Sequence, residues 1–418
     1  MRIPINIGDR TQYVEVNDNI LLDVLKENII EHPRTGIDAI EYSLDNPIGT
    51  PRLEDIVKPQ EKIVIITSDI TRPVPSNLII PSILKRLHKA GVSYSNIKVV
   101  FALGAHRFHT EEEKRKLVGD EVYETVECID GDTADLVHMG ETTNGTPIDI
   151  CRPVAEADRR ICIANIEYHY FAGYSGGAKA IMPGVSTREA IQVNHRMMTH
   201  EKACAGNVND NPVRDDLEEA IDYCNIDFIC NVILDAEKNI VDSVAGHFID
   251  AHRAGCKILD KMYAKPIREK ADIIIVSQGG TPKDINMYQT QKALDNAKYA
   301  IKDGGIIILV GSCIEGMGED VFEDWMLNAG QPADLIQRIE ENFQLGGHKA
   351  AAIALVLKKS EIYLVSDMPD DFVEKIFMTP FSDVQTAYNA AKTELGEVAT
   401  VIAMPFGGST LPRYEAEQ

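Results

Sequence analysis

Short runs of apolar, β-branched residues recur along this chain, and stretches with helical spacing separate them. Lys62–Thr67 (KIVIIT), Ile97–Ala102 (IKVVFA), Arg160–Ile166 (RICIANI), Ala271–Ser277 (ADIIIVS), Gly305–Val310 (GIIILV), Glu361–Val365 (EIYLV) and Val398–Ala403 (VATVIA) predict buried strands. Nearly continuous apolar strands imply a sheet covered on both faces, which is the habit of parallel sheets. Amphipathic spacing predicts helices over Asn77–Ala90, Phe248–Met262, Gln289–Ile301, Pro332–Phe343 and Asp383–Leu395. Alternation of strands and helices makes this an α/β chain with mostly parallel sheets.

The chain has 418 residues, more than one hydrophobic core usually serves, so two domains are expected. The charged, proline-bearing stretch Ala264–Ala271 (AKPIREKA) precedes a fresh strand–loop–helix series and marks a boundary. The expected division is residues 1–268, carrying cofactor and catalysis, and residues 269–418, an α/β domain closing the site. The cleft between such Rossmann-like domains is a usual place for a small-molecule active site.

Composition narrows the partners. With 42 basic and 65 acidic side chains the formal charge is −23, which argues against broad binding to nucleic acid or to an anionic membrane. No apolar run is long enough to span a bilayer, and the opening MRIPINIGDR lacks the pattern of a secretory signal. The eight cysteines are dispersed with no CxxC pair. They read as reduced core thiols, and a cytoplasmic protein is expected.

Three strands of the first domain lead into polar loops: SDITRPVPS (Ser68–Ser76), LGAHRFHT (Leu103–Thr110) and EYHYFAGYSGGAKA (Glu167–Ala180). Ligands of open α/β sheets bind beyond the carboxyl ends of the strands, so these loops should converge. The second domain offers SQGGTPKDINMYQTQK (Ser277–Lys292) at an equivalent place. His106 and His169 follow strands closely, which favours acid/base work over a structural role. His109 is secondary.

Lys179 ends GYSGGAK. Ala180 follows it, so the hydroxyl of a Walker A loop is missing, and GxGxxG is absent as well. Backbone N–H groups around Gly176 and Gly177 can still hold a phosphate; the plain alternative is a glycine turn before a helix. Arg72 offers a planar fork for a carboxylate or phosphate. Asp69 and Thr71 either serve the site or cap the following helix. Tyr288 and Lys292, like Gln289 and Lys292, share a helix face. A zinc-dependent hydrolase or lyase using the same histidines, or a non-enzymatic nucleotide-binding protein, uses many of these residues too.

Taken together, SDITRP, LGAHR, HYFAGYSGGAK, Asn194–His195 and MYQTQK resemble, in order, motifs of the nickel-dependent lactate racemase family. The match runs from Asp69 to Lys292. It implies an isomerase that inverts C2 of a 2-hydroxy acid by reversible hydride transfer to a nickel-pincer nucleotide. It implies that Lys179 carries this cofactor covalently and that His195 ligates the nickel. His106 and His169 match the paired acid/base histidines, and Arg72, Tyr288, Gln289 and Lys292 match substrate-binding residues. Asp69, Thr71, Gly176 and Gly177 fall beside the nucleotide. Nothing in the chain resembles machinery that builds such a cofactor, so separate maturation enzymes are implied as partners. Lactate-active members are expected to close the pocket with a late tryptophan. Here the one tryptophan, Trp325, lies in an acidic stretch, and Gly346–Ala354 (GGHKAAAIA) is built of small residues. A pocket larger than lactate needs is therefore expected.

Overall fold

The computed structural model describes residues 1–28, 30–235 and 237–414. The chain forms two compact units, Ile30–Lys261 and Met1–Ile29 with Met262–Gln418.

The unit Ile30–Lys261 is built on a six-stranded sheet. Its order is Ile240–Gly246, Phe228–Leu234, Arg159–Ile166, Ile63–Ser68, Ile97–Ala102, Glu127–Asp130. All neighbours run parallel except the first pair, an antiparallel hairpin. Ile63–Ser68 is central, with Ile65 opposite Val99 on one side and Ile161 on the other. Ile63, Ile65, Val99, Phe101, Ile161 and Ile163 pack with Ile79, Ile80, Ile83 and Leu87 of the helix Ser76–Lys89. The expected strands and that helix are present, the helix within one residue of its predicted ends.

The other unit has a fully parallel sheet ordered Thr379–Phe381, Ser360–Val365, Ile301–Val310, Ala271–Ser277, Val401–Met404, Leu21–Val24. Its last strand comes from the start of the chain, so a cut made along the sequence misplaces residues 1–29. The hairpin Arg2–Ile7/Arg10–Glu15 joins the same unit. It buries Ile3, Ile5 and Ile7 against Ile273, Ile275, Ile306 and Ile308. The reason is hydrophobic: alternate residues of Arg2–Ile7 are buried, and one face of a hairpin cannot be left in water.

The sequence pattern missed Phe228–Leu234, Ile240–Gly246 and the helix Gly347–Leu357. That helix is apolar nearly all round, with Gly347 to Ala354 buried, so it carries no amphipathic signal. Its small residues do not open a space at its start. A Cβ on Gly347 would lie 2.4 Å from Trp325 Cε2, so the small side chain there admits the buried indole. Trp325 Nε1 donates to Gln344 at 3.2 Å, and the pocket size expected from this stretch has no support in its packing.

Six cysteines, Cys151, Cys162, Cys224, Cys230, Cys256 and Cys313, are buried thiols. Among the described residues no helix is long and apolar enough to cross a membrane.

Candidate active site

The three polar loops leave adjacent strands at their carboxyl ends and meet. Gly104 N–H donates to the Gly184 carbonyl at 2.9 Å, tying the loop after Ile97–Ala102 to the turn that carries Lys179. The loop after Ile63–Ser68 reaches the same neighbour through Asp69, whose Oδ2 makes a short hydrogen bond with His106 Nδ1. Asp69 is buried, and its Oδ1 accepts from Thr71 N–H at 3.2 Å and Thr71 Oγ1–H at 2.7 Å. Burial alone would raise its pKa; the hydrogen bonds from His106 and Thr71 outweigh that and hold it below the usual carboxylate range. Ionised Asp69 therefore accepts the Nδ1 proton of His106, which puts the His106 lone pair on Nε2.

His169 sits on a small hairpin in which Tyr168 pairs with Tyr174 and His169 with Gly173. Gly173 is required there: its φ is +76° and a Cβ would lie 2.1 Å from the Asn207 carbonyl oxygen. Two side chains brace the hairpin from below. Asp260 accepts from the hydroxyls of Tyr168 at 2.7 Å and Tyr174 at 2.8 Å. Arg214, wholly buried, donates through Nε and Nη2 to the Ala172 carbonyl at 3.1 and 3.0 Å, and through Nη2 to the Tyr174 carbonyl. Burial pulls its guanidinium down to about 10.

Lys179 Nζ lies 3.5 Å from His169 Nε2. Burial lowers both pKa values well below their ordinary range; the Arg214 and Arg72 charges depress the lysine further, and Lys179, His195 and Arg72 the histidine. His195 joins the cluster through Phe171, whose ring centroid is 4.5 Å from that of His169 and 4.7 Å from that of His195. Asn194 fixes His195. Its Nδ2 donates to Asp216 Oδ2 at 2.8 Å and to the Val213 carbonyl at 3.1 Å, so its Oδ1 faces His195 Nδ1 at 2.8 Å. His195 Nδ1 thus carries the proton and Nε2 the lone pair, the form that a metal ligand needs. Asp216, fully buried, is held by the hydroxyls of Thr142 at 2.6 Å and Thr146 at 2.7 Å.

Gly176 caps and Gly177 opens the short helix Gly177–Ala180, with φ of +76° and +59°. Their missing Cβ atoms admit the protein's own side chains: Asn231 Oδ1 would lie 2.7 Å from a Cβ at Gly176, and the His252 ring 3.1 Å from one at Gly177. Asn231 Oδ1 accepts from Gly177 N–H at 3.0 Å. Its Nδ2 is buried with no hydrogen-bond partner among the described residues. Asn231, Arg214, Asp216, Asp260 and His252 were not legible as site residues. Each lies in a strand or helix whose local pattern carries no site signal, 22 to 92 positions from the residue it binds.

Arg107, next to His106, is engaged by an acidic side chain of the protein itself. Its Nη1 and Nη2 bind Glu113 at 2.8 and 2.6 Å. In the other unit, Tyr288, Gln289 and Lys292 share the helix Met287–Ala297, beyond the carboxyl end of Ala271–Ser277. Asn286 caps this helix by accepting from Gln289 N–H at 3.0 Å. Lys292 Nζ donates to Gln289 Oε1 at 2.6 Å, and the Lys349 ammonium lies 5.2 Å from the Tyr288 ring centroid. Among the described residues no three His, Cys, Asp or Glu side chains converge as a metal-binding group.

Parallel sheets, loops gathered beyond the strand ends and histidines near a lysine define an α/β enzyme, and its relatives give the class. Residues 7–206 match the family described as lactate racemase N-terminal domain, and residues 267–411 the lactate racemase C-terminal domain. A lactate racemase of Thermoanaerobacterium thermosaccharolyticum is 33% identical over 389 residues, covering 90% of either chain. One of Lactiplantibacillus plantarum is 33% identical over 380 residues, covering 88% of this chain and 89% of that one. The solved lactate racemase apoprotein from T. thermosaccharolyticum superposes with a TM-score of 0.88 at 30% identity, covering 99% of this chain and 100% of the other. A Thermotoga maritima protein shares the fold, with a TM-score of 0.62 at 17% identity over 93% of this chain and 100% of that one. The chain is therefore an isomerase of the racemase type. It belongs to the lactate racemase family.

Proposed function

We propose that this chain inverts C2 of a small anionic 2-hydroxy acid, using a nickel-pincer nucleotide tethered to Lys179, with His195 as the protein ligand to nickel. The observation that carries the reading is the half-buried contact between Lys179 and His169, with His195 beside it. The residues fit the group. A neutral lysine amine can be acylated, where an ammonium cannot. Locked in its Nδ1–H form, His195 offers an imidazole nitrogen of the kind that suits nickel. Asn231 Nδ2, buried beside the glycine turn without an acceptor, can donate to an oxygen that the ligand brings. When bound, the nucleotide supplies a reversible acceptor for the C2 hydride.

The chain's own residues do the rest. His106 Nε2, with Nδ1–H held by Asp69, is set to take the hydroxyl proton. His169 is the paired acid/base group for the other enantiomer; its Nε2 carries the proton in the cofactor-free protein, so the base form requires that proton to move to Nδ1, and each histidine returns its proton when the carbonyl is reduced from the opposite face. Arg72, Tyr288, Gln289 and Lys292 are the substrate-binding residues of this reading, and a cationic side chain suits a carboxylate. Asp69, Thr71, Gly176 and Gly177 line the nucleotide's place. Maturation enzymes supply the cofactor, and the cytoplasm, where such enzymes and reduced thiols are found together, is the setting.

The test is intact-mass and metal analysis of the chain produced with and without pincer-nucleotide maturation enzymes. A nucleotide-sized adduct and nickel are expected only with them, and neither in Lys179→Ala. An active wild-type enzyme lacking adduct and nickel would overturn the reading.

A further inference from the structure

His109, three residues beyond His106, has both ring nitrogens committed inside the protein. Its Nε2 faces the N–H of Ile70 at 3.0 Å. A backbone N–H can only donate, so Nε2 is an acceptor and Nδ1 carries the proton. That proton points at Asp130 Oδ1, 2.5 Å away. Asp130 Oδ2 in turn accepts from His109's own N–H at 3.2 Å and pairs with the Lys114 ammonium at 2.9 Å. The His109 side chain is 1% exposed and that of Asp130 6%, and Phe101 packs on the imidazole with centroids 5.1 Å apart. An imidazole so enclosed, with both nitrogens used, has no proton to trade with a substrate.

What it does hold is the loop that carries Asp69. Ile70 lies between Asp69, which binds His106, and Thr71–Arg72. The turn closes on itself through Arg72 N–H to the Asp69 carbonyl at 3.1 Å and Thr71 to the Asp69 side chain; the Ile70 N–H points out of it, to His109. Asp130 ends the edge strand Glu127–Asp130 and stands opposite Phe101 in the parallel register. The hydrogen bonds therefore run from the sheet edge, through Asp130 and His109, to the peptide next to Asp69.

We propose that Asp130 and His109 are positioning residues that hold the Asp69–His106 pair in register with the sheet, and so fix which His106 nitrogen faces a substrate. This rests on the reading of His106 as an acid/base group. Without the pin, Ile70 N–H loses its acceptor, Asp69 swings with its loop, and His106 Nδ1–H is no longer held. Misplacing a reacting group by about 1 Å costs on the order of 10²-fold in rate, and a partial loosening roughly tenfold.

The experiment uses three variants of the full chain. His109→Leu removes both hydrogen bonds. His109→Gln can still accept from Ile70 and donate to Asp130. Asp130→Asn keeps the shape, removes the charge, and carries the test should His109→Leu fail to fold. The first readout is the far-downfield proton resonance of the His106–Asp69 hydrogen bond in cofactor-free protein, assigned by its disappearance in His106→Gln. It should be lost in His109→Leu, weakened in Asp130→Asn and restored in His109→Gln. The second is racemisation by the loaded enzyme, where kcat should fall roughly tenfold or more in His109→Leu, KM should change little, and Gln should rescue. A resonance unchanged in both His109→Leu and Asp130→Asn overturns the proposal. A lost resonance with unchanged kcat upholds the positioning link and instead removes His106 from the chemistry.

Discussion

Lys179 Nζ and His169 Nε2 face each other at 3.5 Å, and the hydrogen bonding around them fixes which form each takes. Ala172 N–H donates to His169 Nδ1 at 3.3 Å. A neutral imidazole accepting there carries its proton on Nε2, the atom that faces the lysine. An ammonium would set N–H against N–H, whereas a neutral amine can accept. Burial, which depresses both pKa values, acts in the same direction.

This pair makes the cofactor-free protein sensitive to acid. Both groups are bases whose folded pKa is depressed, so the unfolded chain binds more protons. Stability therefore rises with pH across the window between the folded and the ordinary pKa, and falls as pH drops. For Lys179 the window opens below the ordinary 10.5; for His169 below 6.5. Lys179→Met should be more stable than wild type at pH 7. Its stability should also climb less steeply with pH, by about 1.4 kcal/mol per pH unit where the lysine window applies. Urea unfolding of apoprotein at several pH values measures this, and equal slopes would show that the lysine is charged in the folded state.

The two histidines should be separately indispensable. His106→Gln and His169→Gln should each lower kcat by at least about 10²-fold, the lower range for a lost general acid or base. Adduct and nickel should persist, because neither residue is the tether or the metal ligand. Mass and metal analysis alongside racemisation rates decide it; a variant that racemises at the wild-type rate takes its histidine out of the mechanism.

Arg214 is expected to be structural first. Arg214→Met removes the guanidinium donors from the buried carbonyls of Ala172, which keeps the Tyr174 N–H at 2.9 Å, and of Tyr174, which costs on the order of 3 kcal/mol. Thermal unfolding should register that loss, and the hairpin bearing His169 should exchange its amide hydrogens faster. Unchanged protection of residues 168–174 would mean that Asp260 alone secures the hairpin.

Substrate and mechanism are tested together in deuterated water. Loaded enzyme is given single enantiomers of lactate, malate, 2-hydroxybutyrate, phenyllactate and gluconate. If the substrate's own hydride is returned, the inverted product carries little deuterium at C2. Heavy C2 deuteration would mean proton abstraction, and the hydride reading would have to be abandoned.

Much of the unit carrying the histidines is written locally. Strands such as Ile63–Ser68 and Ile97–Ala102 are apolar because both sheet faces are covered. The polar residues that follow must therefore lie beyond the carboxyl ends, where Asp69, His106 and His169 are found. A residue's distance from a strand end is a one-dimensional quantity, and the chain displays it directly. Partners across the sheet are not displayed. Asp130 reaches His109 because its strand pairs with Ile97–Ala102. Asn231 meets Gly177 because Phe228–Leu234 lies next to Arg159–Ile166, and Arg214 fills the space under the hairpin because a helix folds back there. The role of Gly176 and Gly177 was open to two readings in the sequence. Only the positions of Asn231 and His252 show which atoms occupy the space their side chains lack. The placement of residues 1–28 was likewise a tertiary decision. Their alternating pattern requires that one face be buried, but any apolar surface satisfies that requirement, and the surface they cover belongs to the unit at the far end of the chain. Hydrophobic periodicity specifies that a face is buried and where along the chain; which residues meet across it follows from packing and hydrogen-bond geometry, which exist only once the chain has folded.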